Sequence, residues 1–228
     1  MLTARTQIFK TLLPAFTLLL FFASSPLPGH AQEPAPFWNQ YGIKLKDLSR
    51  DEREILEQTF QEINNLKQTD LRVKPEMYQK LSRFEELFGF PFDGTAISDW
   101  VLKRIRKIEQ KESWTALVNH RKGTFRIGKI FFEELSPLER MYALVHEARH
   151  SDDDGHKHAP CPEGFPYVSA GQPMMPLEKE RACDKGAEGA YAFQAAFLFE
   201  IYAYGLLEPK EAGLLYNSSM TRILQPLP

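Results

Sequence analysis

The sequence predicts an α+β protein that is mainly helical. Its 228 residues are 43% hydrophobic and 25% charged, which is the balance of a globular chain. Apolar residues recur at helical spacing through most of the sequence, and only the stretch 114–132 alternates in the manner of strands. There are 28 Lys and Arg residues against 30 Asp and Glu, so no basic surplus supports nucleic-acid binding.

The N-terminal segment 1–31 has the pattern of a secretory signal peptide. Arg5 and Lys10 form a basic start, 11–23 is an apolar run, and small residues ending at Ala31 suit cleavage. The apolar run is too short to cross a hydrocarbon core of about 30 Å, so we expect no stable membrane anchor. The pattern predicts an exported protein, either periplasmic or secreted.

After the signal peptide, the sequence predicts an irregular arm over residues 32–47 and a single domain over 48–228. The arm is interrupted by prolines. Three amphipathic helices then follow, the first after a capping box that begins at Ser49, the second from Pro75 and the third from about Asp93.

The middle of the chain predicts a β-hairpin followed by a helix. Residues 114–119 and 124–132 are the two strands, separated by a turn. Ser136 and Glu139 have the spacing of a capping box, which predicts a helix that runs into His146.

The C-terminal part of the chain predicts a polar loop and two helices. The loop covers residues 151–176, and a long Ala-rich helix then extends from about 177 to 204, where Gly205 stops it. A last helix is predicted from about 209 to 223.

The central motif is His-Glu-Ala-Arg-His at residues 146–150. Positions four apart lie on the same face of a helix, so His146 and His150 can both reach one metal ion. Glu147 lies beside them, where it can accept a proton from water that a zinc ion has acidified to a pKa of about 7. The motif therefore predicts a site for one zinc ion, with Glu147 as the catalytic base.

Through this motif the chain resembles the zincin metallopeptidases, over roughly residues 114–204. The resemblance implies a zincin-like fold, in which a small β-hairpin or sheet packs on the active-site helix. It also implies that the outer strand of the hairpin, near 124–132, lines the cleft and pairs with an extended peptide.

The third zinc ligand has three candidates. His156 has the spacing of the third histidine in HExxHxxGxxH proteases, although Asp153 replaces the glycine of that pattern. His158 is an adjacent alternative. Glu180 and Asp184 resemble the arrangement of zinc peptidases whose third ligand is a glutamate, with the aspartate orienting a histidine. We expect His156, with His158 and Glu180 as alternates and Asp184 in a supporting role.

The two cysteines, Cys161 and Cys183, predict a disulfide. A cysteine pair oxidises in an exported protein, and the absence of a CxxC pair disfavours a metal site. The bridge would tie the loop after His158 to the segment that holds Glu180 and Asp184.

These observations together predict an exported zinc-dependent hydrolase, most simply a peptidase that acts on a peptide or protein substrate. The alternative is a non-catalytic metal-binding periplasmic protein that is cross-linked by one disulfide.

Overall fold

The computed structural model describes residues 37–111, 116–152, 157–164 and 177–225. The predicted signal peptide, 1–31, lies outside these ranges. Among the described residues, no helix has both the length and the apolar character needed to span a membrane.

The architecture is α+β, as predicted, and about half of the described residues are helical. The helices are α1 (Phe37–Gln40), α2 (Arg50–Asn64), α3 (Pro75–Leu81), α4 (Phe84–Phe88), α5 (Gly94–Leu102), α6 (Lys129–Glu133), α7 (Pro137–Arg149), α8 (Ala190–Tyr204) and α9 (Pro209–Met220). The strands are β1 (Lys44–Lys46), β2 (Lys107–Gln110), β3 (Leu117–Arg121), β4 (Thr124–Ile127), β5 (Ala159–Pro160) and β6 (Arg181–Cys183).

A four-stranded sheet has the order β1-β2-β4-β3, in which only β3 runs antiparallel to its neighbour. The predicted hairpin is present, but its second strand ends at Ile127, because Gly128 begins the short helix α6. Strand β4 lies inside the sheet and β3 at its edge. The expectation that 124–132 is the outer strand of the cleft is therefore wrong, because the edge strands of this sheet are β3 and β1.

The predicted irregular arm at 32–47 is also wrong in its described part, because it contains α1 and β1. Trp38 and Ile43 are buried there, and Trp38 donates a hydrogen bond to Glu57 over 2.8 Å. Strand β1 pairs with β2, so this segment belongs to the sheet and the core.

The N-terminal helices follow their predicted caps. Ser49 begins α2 with a complete capping box, and Asp93 caps α5. The predicted second helix divides into α3 and α4, which are separated at Ser82 and Arg83. Phe84 and Phe88 on α4 are buried, and they stack with their ring centroids 4.2 Å apart.

Helix α7 carries the HEARH motif at its C-terminal end. Ser136 and Glu139 form the predicted capping box, which fixes where the helix begins. Its buried face includes Met141, Leu144 and Val145, and it packs against α8, β3, α2 and α5. The core therefore holds the motif helix on several sides.

The predicted long helix from 177 to 204 begins only at Ala190, where it becomes α8. The preceding residues form β6, which pairs with β5, and then a turn that contains Gly186 and Gly189. Gly205 ends α8 in the left-handed conformation, as expected, and α9 packs along α8.

Candidate metal centre

Three histidine side chains converge at the end of α7. The Nε2 atom of His158 lies 3.1 Å from Nε2 of His146 and 3.2 Å from Nε2 of His150. His146 and His150 are one helical turn apart, and His158 approaches from the segment just before β5. Among the described residues, these three form the group whose ligand atoms are close enough to share a metal ion.

The spacing of these nitrogens suits a tetrahedral metal ion. With Zn–N bonds of 2.0–2.1 Å, two tetrahedral ligands are about 3.3 Å apart, which is close to the separations from His158. A proton on one nitrogen could bridge only one pair of rings, whereas a central cation contacts all three. The donor set therefore fits a metal ion shared by the three rings.

A chain of hydrogen bonds orients His146. Ser219 donates its single hydroxyl hydrogen to the carbonyl of Leu215, so its oxygen accepts from the Gln194 amide nitrogen. The Gln194 oxygen then faces Nδ1 of His146 at 2.8 Å. Nδ1 must donate this bond, which leaves the lone pair of Nε2 directed at the other histidines.

Asp184 orients His158 in the same way. One carboxylate oxygen of Asp184 accepts from Nδ1 of His158 over 2.9 Å, and the other accepts from the backbone amide of Tyr191 over 2.7 Å. A Cβ atom at Gly189 would lie 2.1 Å from this carboxylate, so glycine is required there. The acid side chain is thus held against both the ligand and the start of α8.

The surroundings of His146 favour its neutral form. His146 is 7% exposed, and its burial lowers its pKa well below the ordinary value. The nearby His150 and His158 lower it further. A neutral imidazole is the form that binds a metal ion.

Glu147 is held beside the cluster by the edge strand of the sheet. Its carboxylate accepts from the backbone amide of Asn119 over 2.8 Å, and its carbonyl accepts from the Asn119 side chain over 3.0 Å. Burial raises the pKa of Glu147 to about 7, although the bond from Asn119 opposes the rise. A carboxyl group with this pKa can exchange a proton near neutral pH.

A cavity of about 290 Å³ adjoins His146 and Glu147. Tyr191 forms part of its wall, and the Tyr191 ring packs against His146 with centroids 4.6 Å apart. Arg222 also lines the cavity and donates a hydrogen bond to the Tyr191 hydroxyl. The rest of the lining combines apolar side chains with polar ones, at Ala116, Leu117, Leu135, Tyr142, Ala143 and Leu215 and at Glu139, Gln194, Ser218 and Ser219.

The structure brings together most of the predicted site residues. His146, Glu147 and His150 lie together as predicted, and His158 is the described histidine that joins them. The preferred third ligand, His156, lies outside the described residues.

The two acidic residues predicted near the metal have different positions. Asp184 contacts a histidine, which is the role expected of it. Glu180 is exposed and stands outside the histidine cluster, because it lies in a turn that leads into β6 and not on a helix.

The predicted disulfide between Cys161 and Cys183 is present. It joins Cys183 in β6 to the residue that follows β5, directly beside the cluster, since His158 precedes β5 and Asp184 follows β6.

Sequence reasoning missed Asn119, Gln194 and Ser219. Gln194 carried a usable signal, because it is a polar residue in the otherwise apolar helix α8, and buried polar groups have partners. Asn119 acts partly through its backbone amide, and no side-chain pattern predicts that contact.

No protein-family model matches this chain, and neither curated proteins nor solved structures yielded a significant match.

Proposed function

We propose that the protein is an exported zinc-dependent hydrolase, and more narrowly a peptidase. The observation that carries the proposal is the convergence of three imidazole nitrogens, from His146, His150 and His158, beside the Glu147 carboxylate. Three protein ligands leave the fourth position of a tetrahedral ion open, which is typical of catalytic zinc sites.

A zinc ion held by these three histidines supplies a Lewis acid that acidifies water and polarises a carbonyl oxygen. The protein's own contribution is to fix the ligands. Gln194 and Asp184 each hold one ring through its Nδ1 atom, so both Nε2 atoms keep a fixed direction.

Glu147 is proposed as the general base. The Asn119 amide holds one carboxylate oxygen, which fixes the side chain beside the histidines. In this role Glu147 takes a proton from the attacking water and later delivers it to the leaving amine.

The surroundings of the site favour an extended substrate. Apolar side chains line part of the cavity beside Glu147, and strand β3, which contacts α7, lies at an edge of the sheet. A peptide can add to such an edge through main-chain hydrogen bonds and place one side chain in the cavity. These features support a peptide or protein substrate.

The test replaces Glu147 with Gln and measures peptide hydrolysis together with zinc content. Hydrolysis of peptides from a denatured protein, followed by mass spectrometry, should fall by about 10²- to 10⁴-fold, because the base is lost. One zinc ion per chain should remain, because the three histidines are unchanged. Glu134→Gln, at an exposed position, is the matched control and should leave both measurements unchanged.

Two outcomes would contradict the proposal. Full activity in Glu147→Gln with zinc bound would exclude this residue as the base. Wild-type protein that holds zinc but cleaves no peptide would instead support the non-catalytic metal-binding alternative.

A further inference from the structure

His158 is held in place by a very small β-hairpin. Strands β5 and β6 pair Ala159 with Cys183, and the backbone of Cys161 bonds to Glu180 and Lys179 over 2.9 Å each. His158 immediately precedes the first strand. The position of this ligand therefore depends on the pairing of the two strands.

Within the part of the chain that the structure describes, the hairpin has few stabilising contacts apart from the disulfide. A two-stranded ribbon of two or three residues per strand is not stable alone. Its buried side chains, Ala159, Cys161 and Cys183, lie outside the main hydrophobic core. The ion pair between Glu163 and Lys179 is more than 70% exposed and contributes little.

Asp184, in contrast, is anchored independently of the bridge. Its backbone amide donates to Arg222 over 2.8 Å, and its carbonyl accepts from Leu224 over 2.9 Å. Its carboxylate also binds the first turn of α8 through Tyr191. Without the disulfide, Asp184 keeps these contacts, whereas His158 keeps only its side-chain bond to Asp184 and the few hydrogen bonds of the two short strands.

The other two ligands are also independent of the bridge. His146 and His150 lie at the end of α7, which the core and the Ser136 capping box hold. Breaking the disulfide therefore takes one ligand from three and leaves an i,i+4 pair, which binds zinc more weakly.

We propose that the Cys161–Cys183 disulfide controls the metal affinity of the site, so that a thiol reductant releases the ion by freeing His158. This inference rests on the metal centre proposed above. A dithiol reductant attacks one sulfur, the S–S bond breaks, and two electrons with two protons convert Cys161 and Cys183 to thiols. The reductant leaves as its own disulfide.

The first test measures zinc affinity by competition with a chromophoric chelator. Cys161→Ser/Cys183→Ser should bind zinc on the order of 10- to 100-fold more weakly than the wild type, as His158→Ala should. Serine removes the bridge without adding a thiol ligand. Combining all three substitutions should cause no loss beyond that of His158→Ala, because both changes remove the same ligand.

The second test uses the wild-type chain and does not depend on the folding of a variant. Binding effects are reciprocal at equilibrium, so bound zinc should favour the disulfide form, and we expect it to slow the reduction of the disulfide by a phosphine reductant. Thiol labelling and mass spectrometry give the rate. In His158→Ala, zinc should leave the reduction rate unchanged. This control separates an effect of zinc that passes through His158 from a general stabilisation of the fold by zinc.

The outcomes discriminate between the two proposals. Wild-type affinity in the double serine variant, or equal reduction rates with and without zinc, would overturn the disulfide link alone. Wild-type protein that binds no zinc would overturn the metal centre and the link together.

Discussion

At the scale of single residues, the ligand rings are held by polar groups that lie behind them. The Gln194 amide bridges His146 and Ser219 inside an apolar helix, so both its carbonyl oxygen and its nitrogen have a hydrogen-bond partner there. The Asp184 carboxylate does the same for His158. Such partners restrict each ring to one tautomer and one direction before the metal arrives.

Replacing Gln194 with Leu should weaken zinc binding by about 10- to 100-fold, because His146 loses the acceptor that fixes its Nδ1 hydrogen. The side chain keeps its size and the helix remains apolar, so the protein should stay folded. Chelator competition and circular dichroism measure these two properties. His120→Ala removes an exposed histidine outside the cluster and should not alter the affinity. An unchanged affinity in Gln194→Leu would show that the amide does not position the ligand.

The sequence predicted two of the converging histidines and left the third open, for a geometric reason. His146 and His150 are related by helix periodicity, which fixes their relative direction. His156 and His158 are two residues apart, and in extended chain such residues point to the same side, so local pattern does not separate them. The choice between them depends on where β5 lies. The position of β5 depends in turn on a disulfide between two cysteines that are 22 residues apart in the sequence.

At the scale of elements, capped helices were predictable and short strands were not. The capping boxes at Ser49 and Ser136 predicted where α2 and α7 begin, because a helix cap is an interaction between residues close in sequence. Strands β1 and β2 have three and four residues and are rich in charge, so their alternation is too short to recognise. The start of α8 was misplaced because β6 is formed by pairing with distant residues.

The sheet contains a charged residue that makes a prediction about pH. Glu109 on β2 is almost buried, and its carboxylate bonds to Lys107 and to Arg126, the latter over 2.8 Å. These two cations lower the pKa of Glu109 from 4.5 to about 2. A pKa that is lower in the folded state than in the unfolded chain stabilises the fold when the pH is above the unfolded-state pKa. This contribution is lost as the pH falls from about 4.5 to about 2.

Glu109→Gln should therefore reduce the free energy of unfolding at pH 7, and its difference from the wild type should shrink as the pH falls through that window. Urea unfolding at several pH values measures both effects. Glu76→Gln, at an exposed position, should show no such convergence. A difference that stays constant with pH would mean that Glu109 acts only through packing.

At the scale of the whole molecule, the candidate site joins distant parts of the chain. The ligands come from α7 and the β5 segment, and their supports come from β6, α8 and α9. A metal ion bound there links these elements in the folded state only. Binding that is restricted to the folded state raises stability by mass action.

Zinc at 100 times its dissociation constant should stabilise the fold by about 2.7 kcal/mol. For a chain of this length, that corresponds to a rise in melting temperature of roughly 5–10 °C. Differential scanning fluorimetry with zinc or with a chelator measures the shift. His146→Ala/His150→Ala should show no response, and the same rise in that variant would place the zinc elsewhere.

The carboxylate of Asp184 has a consequence for the order of folding. It caps α8 from outside the helix, because the residue at the cap position, Gly189, has no side chain to do so. The same carboxylate holds His158. The first turn of α8 and His158 therefore depend on the same side chain. If the proposed metal centre forms in this way, a newly made chain would hold zinc only weakly on the α7 pair until α8 and Asp184 are in place, so it would acquire its metal firmly late in folding.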